Sequence, residues 1–101
     1  KFIVRGLTRN NTDDYTELNN LMKTEFGEHF LDAKSYLSSE QALKDMNLPI
    51  TENDSEYIQA GNVAYSFMSS PEKDPVHMNT YGYKALAKCL NDKLNELGYL
   101  K

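Results

Sequence analysis

Phe2-Ile3-Val4-Arg5-Gly6-Leu7 and His29-Phe30-Leu31-Asp32-Ala33 are the two stretches that decide the fold. Each is short and mostly apolar, and the first carries β-branched Ile3 and Val4, so both predict short, largely buried strands. Between them Tyr15, Leu18, Leu21, Met22 and Phe26 recur at helical spacing. Asn10-Asn11-Thr12-Asp13-Asp14 supplies turn and N-cap chemistry ahead of that helix, predicted over 13–26, and Gly27 ends it. A strand, a helix and a second strand in so short a span make a βαβ unit, whose strands lie parallel. The expected fold class is therefore α/β.

Residues 34–62 read as a helical insertion. Ser38 with Gln41 fits a capping box for a short helix through Leu43 and Met46, which Leu48-Pro49-Ile50 breaks. Thr51 with Asp54 caps a second short helix, from Glu52 to about Ala60, and Gly61 closes it. Residues 63–78 are irregular. Asn79 then caps a final helix whose apolar face is Tyr83, Leu86, Ala87, Leu90, Leu94 and Leu97, ended by Gly98. That stripe is expected in the core, whereas Glu52, Asp54 and Glu56 are expected on a solvated helix start rather than at a metal site. Two parallel strands alone make a poor sheet, and strand 2–7 would lack a neighbour on one side. Further strands upstream are expected to complete a larger doubly wound domain.

The 101 residues allow at most one domain, with 40% hydrophobic and 26% charged residues, a mix suited to a folded chain. The net charge of -4 argues against nucleic acid as a partner, since that affinity comes from cations on phosphates. No apolar run approaches the roughly 20 residues of a membrane-spanning helix. Cys89 is the single cysteine, which excludes an internal disulfide, and no Cys/His cluster stands at zinc spacing; its place beside the apolar face of the last helix predicts a half-buried thiol. The chain starts at Lys1 with no secretory apolar segment behind it, so its N-terminus is expected to arise from processing or from design, and the compartment is not written in it.

The chemistry sits in Asp74-Pro75-Val76-His77-Met78-Asn79, leading into Thr80-Tyr81-Gly82-Tyr83-Lys84-Ala85-Leu86. Histidine is the side chain suited to general-base work near neutral pH. A carboxylate on its second ring nitrogen fixes the tautomer and stabilises the imidazolium. An Asp three residues ahead, in a proline-stiffened turn, can present both groups on one side of a loop. The pattern Asp-Pro-Val-His-Met-Asn-x-x-Gly-Tyr-x-x-Leu resembles the last conserved block of the SGNH (GDSL-type) hydrolases. Upstream, Phe2 to Thr8 resembles that family's fourth strand, and the following helix with residues 30–37 resembles its next helix and fifth strand.

This resemblance implies that the chain is the C-terminal portion of a flavodoxin-like, three-layer α/β domain, built from the βαβ unit, the helical insert and the C-terminal helix. It implies ester hydrolysis through a serine acyl-enzyme, with His77 as general base and Asp74 as its partner, no cofactor and no metal. The substrate would be a small-molecule or glycan ester, and the remainder of the hydrolase domain the partner. The family's Gly-Asp-Ser nucleophile block and its oxyanion-hole Gly and Asn do not occur here and would lie before Lys1; Gly61-Asn62 falls at the wrong place in chain order. Ser66, Ser69 and Ser70 read as loop or cap residues, so the chain alone is expected to be inactive and its parent active. Leu7, Thr8, Tyr65, Phe67 and Met68 are candidates for an acyl or leaving-group pocket, with core packing as the competing reading. His29 reads as a strand-edge residue, and Asp32 as a loop hydrogen-bond acceptor. Two other functions compete with the enzyme: a non-catalytic SGNH-like binding or assembly module, and a small autonomous domain dimerising through its open sheet edge.

Overall fold

A computed structural model describes residues 1–11 and 14–99. The helix following the first strand, α1, spans Asp14–Phe26; the Thr12 and Asp13 of its expected cap lie outside the described residues. Strand β1 (Val4–Arg5) pairs in parallel with β2 (Phe30–Leu31), Val4 opposite Phe30 and Arg5 opposite Leu31. The fold is thus mixed α/β with a parallel strand pair joined by a helix, as expected.

Both strands are shorter than the sequence suggests, and the reasons are local. Beyond β1, the ladder ends once the Gly6 N–H has reached the Leu31 carbonyl at 2.9 Å. The Asn19 side chain on α1 then takes both backbone groups of Leu7, accepting from its N–H and donating to its carbonyl, each at 2.8 Å. A Cβ at Gly6 would stand 2.8 Å from the Phe30 ring, so any larger residue there would have to displace that ring. Before β2, a single 3-10 turn at Gly27–His29 starts from a left-handed Gly27 (φ 53°). After it, Asp32 caps α2 (Ala33–Leu37) by accepting from the Ser35 N–H, so the second strand cannot run on to Ala33.

The helical insert continues with α3 (Glu40–Asp45) and α4 (Glu52–Gln59). The cap of α3 is Ser39, not Ser38: Ser38 closes α2 instead, its N–H on the Lys34 carbonyl. On α4 the Thr51–Asp54 capping box forms as read, and left-handed Gly61 (φ 77°) follows the helix. A 3-10 turn at Tyr65–Phe67 leads through an irregular loop to α5 (Thr80–Glu96), capped by Asn79.

The core lies where α2, α3, the 63–68 segment and α5 meet, and includes Leu31, Leu37, Leu43, Val63, Phe67 and Met78. Helix α5 turns a different face inward from the one expected. Gly82 and Ala85 are buried, with Leu86 and Cys89 against the core, while Tyr83 and Leu90 are 51% and 40% exposed. Gly82 sets this rotation: a Cβ there would lie 2.5 Å from the Phe67 carbonyl oxygen, so the helix backbone rests directly on the 65–67 turn. Cys89 is half-buried as expected, and burial raises its thiol pKa. Leu18 and Leu21 of α1 also face outward, and no other strand among the described residues pairs with β1. No helix among them is long and apolar enough to cross a membrane.

Candidate functional site

The loop between Phe67 and Asn79 is closed at its base like a short hairpin. Buried Met68 and Met78 form an antiparallel bridge, flanked by hydrogen bonds from Ser69 N–H to the His77 carbonyl (3.1 Å) and from Asn79 N–H to the Phe67 carbonyl (2.8 Å). At its far end the Ser70 carbonyl accepts from the amides of Lys73 and Asp74, at 3.0 and 2.7 Å. Asp74 then folds the chain back on itself. Its Oδ1 accepts from the N–H groups of Val76 (2.9 Å) and His77 (3.2 Å), the Asx-type turn that Asp favours.

With Oδ1 so occupied, Oδ2 is left for the His77 ring, 2.7 Å from Nδ1. The Val76 amide, then the His77 ring, hold the Asp74 carboxyl below the usual carboxylate range. An ionised carboxylate only accepts, so Nδ1 carries the hydrogen, and the neutral imidazole has its lone pair on Nε2. The His77 side chain is 70% exposed and Nε2 has no hydrogen-bond partner among the described residues. The arrangement is an exposed imidazole oriented through Nδ1, and its Nε2 is chemically able to accept a proton.

A set of asparagines and one buried carboxylate hold the loop and the segments around it. Asn10 donates its backbone N–H to the Pro75 carbonyl at 2.9 Å. Its own side chain, 2% exposed, accepts from the Val63 N–H at 2.8 Å. The neighbouring Asn11, in the left-handed region (φ 60°), exchanges hydrogen bonds with Asn62, Asn11 N–H to Asn62 Oδ1 and Asn62 Nδ2 to Asn11 Oδ1, each at 3.0 Å. Asn79 caps α5 with Oδ1 and donates Nδ2 to the carbonyls of Ser66 and Met68. Beneath these lies Asp54, fully buried rather than on a solvated helix start. It accepts from the N–H and hydroxyl of Thr51 and from the N–H and hydroxyl of Ser66. Ser66 is therefore committed to Asp54.

Of the pocket candidates, Leu7 and Thr8 line a hollow of about 280 Å³ with Val76, so the structure brings them to the Asp74–His77 loop. Arg5 and Arg9 complete that hollow; sequence spacing gave no signal for them, because the convergence is made by the turn after β1. Tyr65 lines a separate hollow of about 220 Å³ with Ser70, Pro71, Glu72 and Lys73. Phe67 and Met68 are not pocket residues here: they are 0% and 4% exposed, buried because the 3-10 turn and the Met68–Met78 bridge direct them inward. His29 does sit at the strand edge, its ring stacked on Phe2 and its Nδ1 3.2 Å from the Phe2 carbonyl. No group of three or more His, Cys, Asp and Glu among the described residues is placed to hold a metal ion. Comparison with known protein families, with curated proteins and with solved structures finds no match.

Proposed function

We propose that this chain contributes the Asp–His half of a Ser-His-Asp catalytic triad in an ester hydrolase of the SGNH type. In this reading the βαβ unit and α5 are the C-terminal portion of a flavodoxin-like domain, and the nucleophilic serine is supplied by residues preceding Lys1. The observation that carries it is the 2.7 Å bond from His77 Nδ1 to Asp74 with Nε2 left outward. The 74–86 sequence block and the tether from Asn10, in the turn that follows β1, also support it, since sites in parallel α/β folds lie beyond the carboxyl ends of strands.

His77 Nε2 takes the serine proton as the oxygen attacks the ester carbonyl. The resulting imidazolium, stabilised by Asp74, returns that proton to the leaving alcohol. Water, deprotonated by the same nitrogen, then attacks the acyl carbonyl, and the proton passes to the departing serine oxygen as the acid is released. The test is covalent trapping with a fluorophosphonate on the natural polypeptide that contains these residues. The intact protein should gain one phosphonyl adduct, and His77→Ala should gain none. An adduct on the 101-residue chain itself would place the nucleophile among its own serines and overturn the reading.

A second reading, a non-catalytic binding or assembly module, is favoured by one feature. All the bonds of Asp74 are internal to its own loop, which a purely structural turn would also require. Absence of any adduct on the natural polypeptide would select it.

A further inference from the structure

The chain has two arginines, Arg5 and Arg9, and both line the hollow that Leu7, Thr8 and Val76 complete. Arg5 ends β1 and Arg9 stands in the turn behind it. That turn is fixed by the Asn10 contacts and by Lys34, whose Nζ donates to the Arg9 carbonyl at 2.6 Å. Among the described residues neither guanidinium makes an ion pair; the carboxylates in contact with cations are on His29, His77, Lys88 and Lys93. In a chain with 15 acidic and 11 basic residues, two arginines on one hollow without an ion pair among the described residues are an exception that composition does not explain.

We propose that this hollow is an anion subsite, and that it holds a compact oxyanion, carboxylate or phosphate, of the ester processed at Asp74–His77. A guanidinium matches a two-oxygen anion with two parallel hydrogen bonds, and two arginines line this one hollow. The hollow, about 280 Å³, is small for a whole ligand and sized for a head group. Val76 forms the shared wall: it lines the hollow, its N–H is bound by Asp74, and His77 is the next residue. An anion held there leaves the rest of the substrate to reach toward Nε2. The net charge of -4 disfavours a long polyanion, so the ligand is a small acidic ester rather than a nucleic acid. The substrate assignment rests on the hydrolase reading, whereas the anion site stands without it.

The test uses the natural polypeptide. Inorganic phosphate is titrated while the arginine Nε–H signals are followed by NMR, with sodium chloride at matched ionic strength as control. Two signals should move and saturate with phosphate only, and Arg9→Gln should weaken binding about tenfold, the effect of losing one set of charge-assisted bonds. In parallel, kcat/KM is measured for an ester bearing a carboxylate, an ester bearing a phosphate and a neutral ester of the same length. Arg9→Gln should lower the anionic-to-neutral ratio about tenfold, and comparison of the two anionic esters tells which oxyanion is preferred. Unmoved signals, equal movement with chloride, or an unchanged affinity in Arg9→Gln would overturn the site. Phosphate binding with an unchanged ratio would overturn its role in substrate choice. Saturable phosphate binding with no hydrolysis of any ester would leave the subsite intact and refute the hydrolase instead.

Discussion

Replacing Asp54 by alanine should destabilise the protein by about 4 kcal/mol. Four donors converge on this carboxylate, the N–H and hydroxyl of Thr51 and the N–H and hydroxyl of Ser66, at 2.7 to 3.1 Å with the reciprocal bond included. The hydroxyls can rotate toward other acceptors; the two backbone amides cannot. Each amide left without its partner costs about 1–3 kcal/mol, and the two together give about 4 kcal/mol; the Thr51 bond is also Asp54's half of the capping box. The total is about a quarter or more of the stability of an ordinary domain, about 5–15 kcal/mol. Urea unfolding followed by circular dichroism near neutral pH reads this directly. Asp54→Asn, which keeps one acceptor but aims an NH₂ at a donor, should fall between the two.

Acid provides the second half of that test. Burial alone would raise the Asp54 pKa, but the bonds from Ser66 and Thr51 outweigh it and hold the carboxyl below its ordinary 3.8. The native state thus binds this proton less readily than the unfolded chain. The stabilisation is complete above the ordinary value and fades as pH drops through the lower, folded one. The gap between wild type and Asp54→Ala should therefore narrow in strong acid. A loss under about 1 kcal/mol near neutral pH, the scale of an exposed polar substitution, or a gap that does not narrow, would refute the reasoning.

Gly82→Ala offers a contest between two effects. Alanine favours a helix by about 1 kcal/mol over glycine, but its Cβ would meet the Phe67 carbonyl oxygen at 2.5 Å, a backbone atom that cannot turn aside. Overpacking costs about 1–3 kcal/mol, so a lowered melting temperature is expected, and a raised one would show that α5 can slide. Asn10→Ala removes the acceptor of the buried Val63 amide and should cost about 2 kcal/mol. Hydrogen exchange at Val63 should accelerate, and unchanged protection there would mean that another group takes the bond.

Legibility in the sequence followed the range of the interaction. The Thr51–Asp54 box, the Asn79 cap and the Asp74–His77 bond each join residues three apart, and each forms as read. The strands shrank because a distant side chain, Asn19, competes for the backbone of Leu7. The apolar stripe on α5 was real, but periodicity does not say which part of a broad apolar face meets the core. The absent side chain of Gly82 decides that, leaving Tyr83 and Leu90 outward. Asp54 was misplaced because a capping carboxylate near a helix start is ordinarily wet, and only the return of the chain at Ser66 covers it. The pairing of Arg5 and Arg9 with Val76 was invisible for the same reason.

The brevity of β1 bears on how copies of this chain treat one another. A strand with an open edge is ordinarily a template on which a second molecule can stack. Here the paired segment is only Val4–Arg5, and Asn19 already occupies the backbone of Leu7. What remains offers a newcomer too few hydrogen bonds to offset the cost of ordering it. In-register stacking of two copies would also bring their Arg5 charges side by side. The same features that cut the strand short leave its described edge a poor template for a second copy.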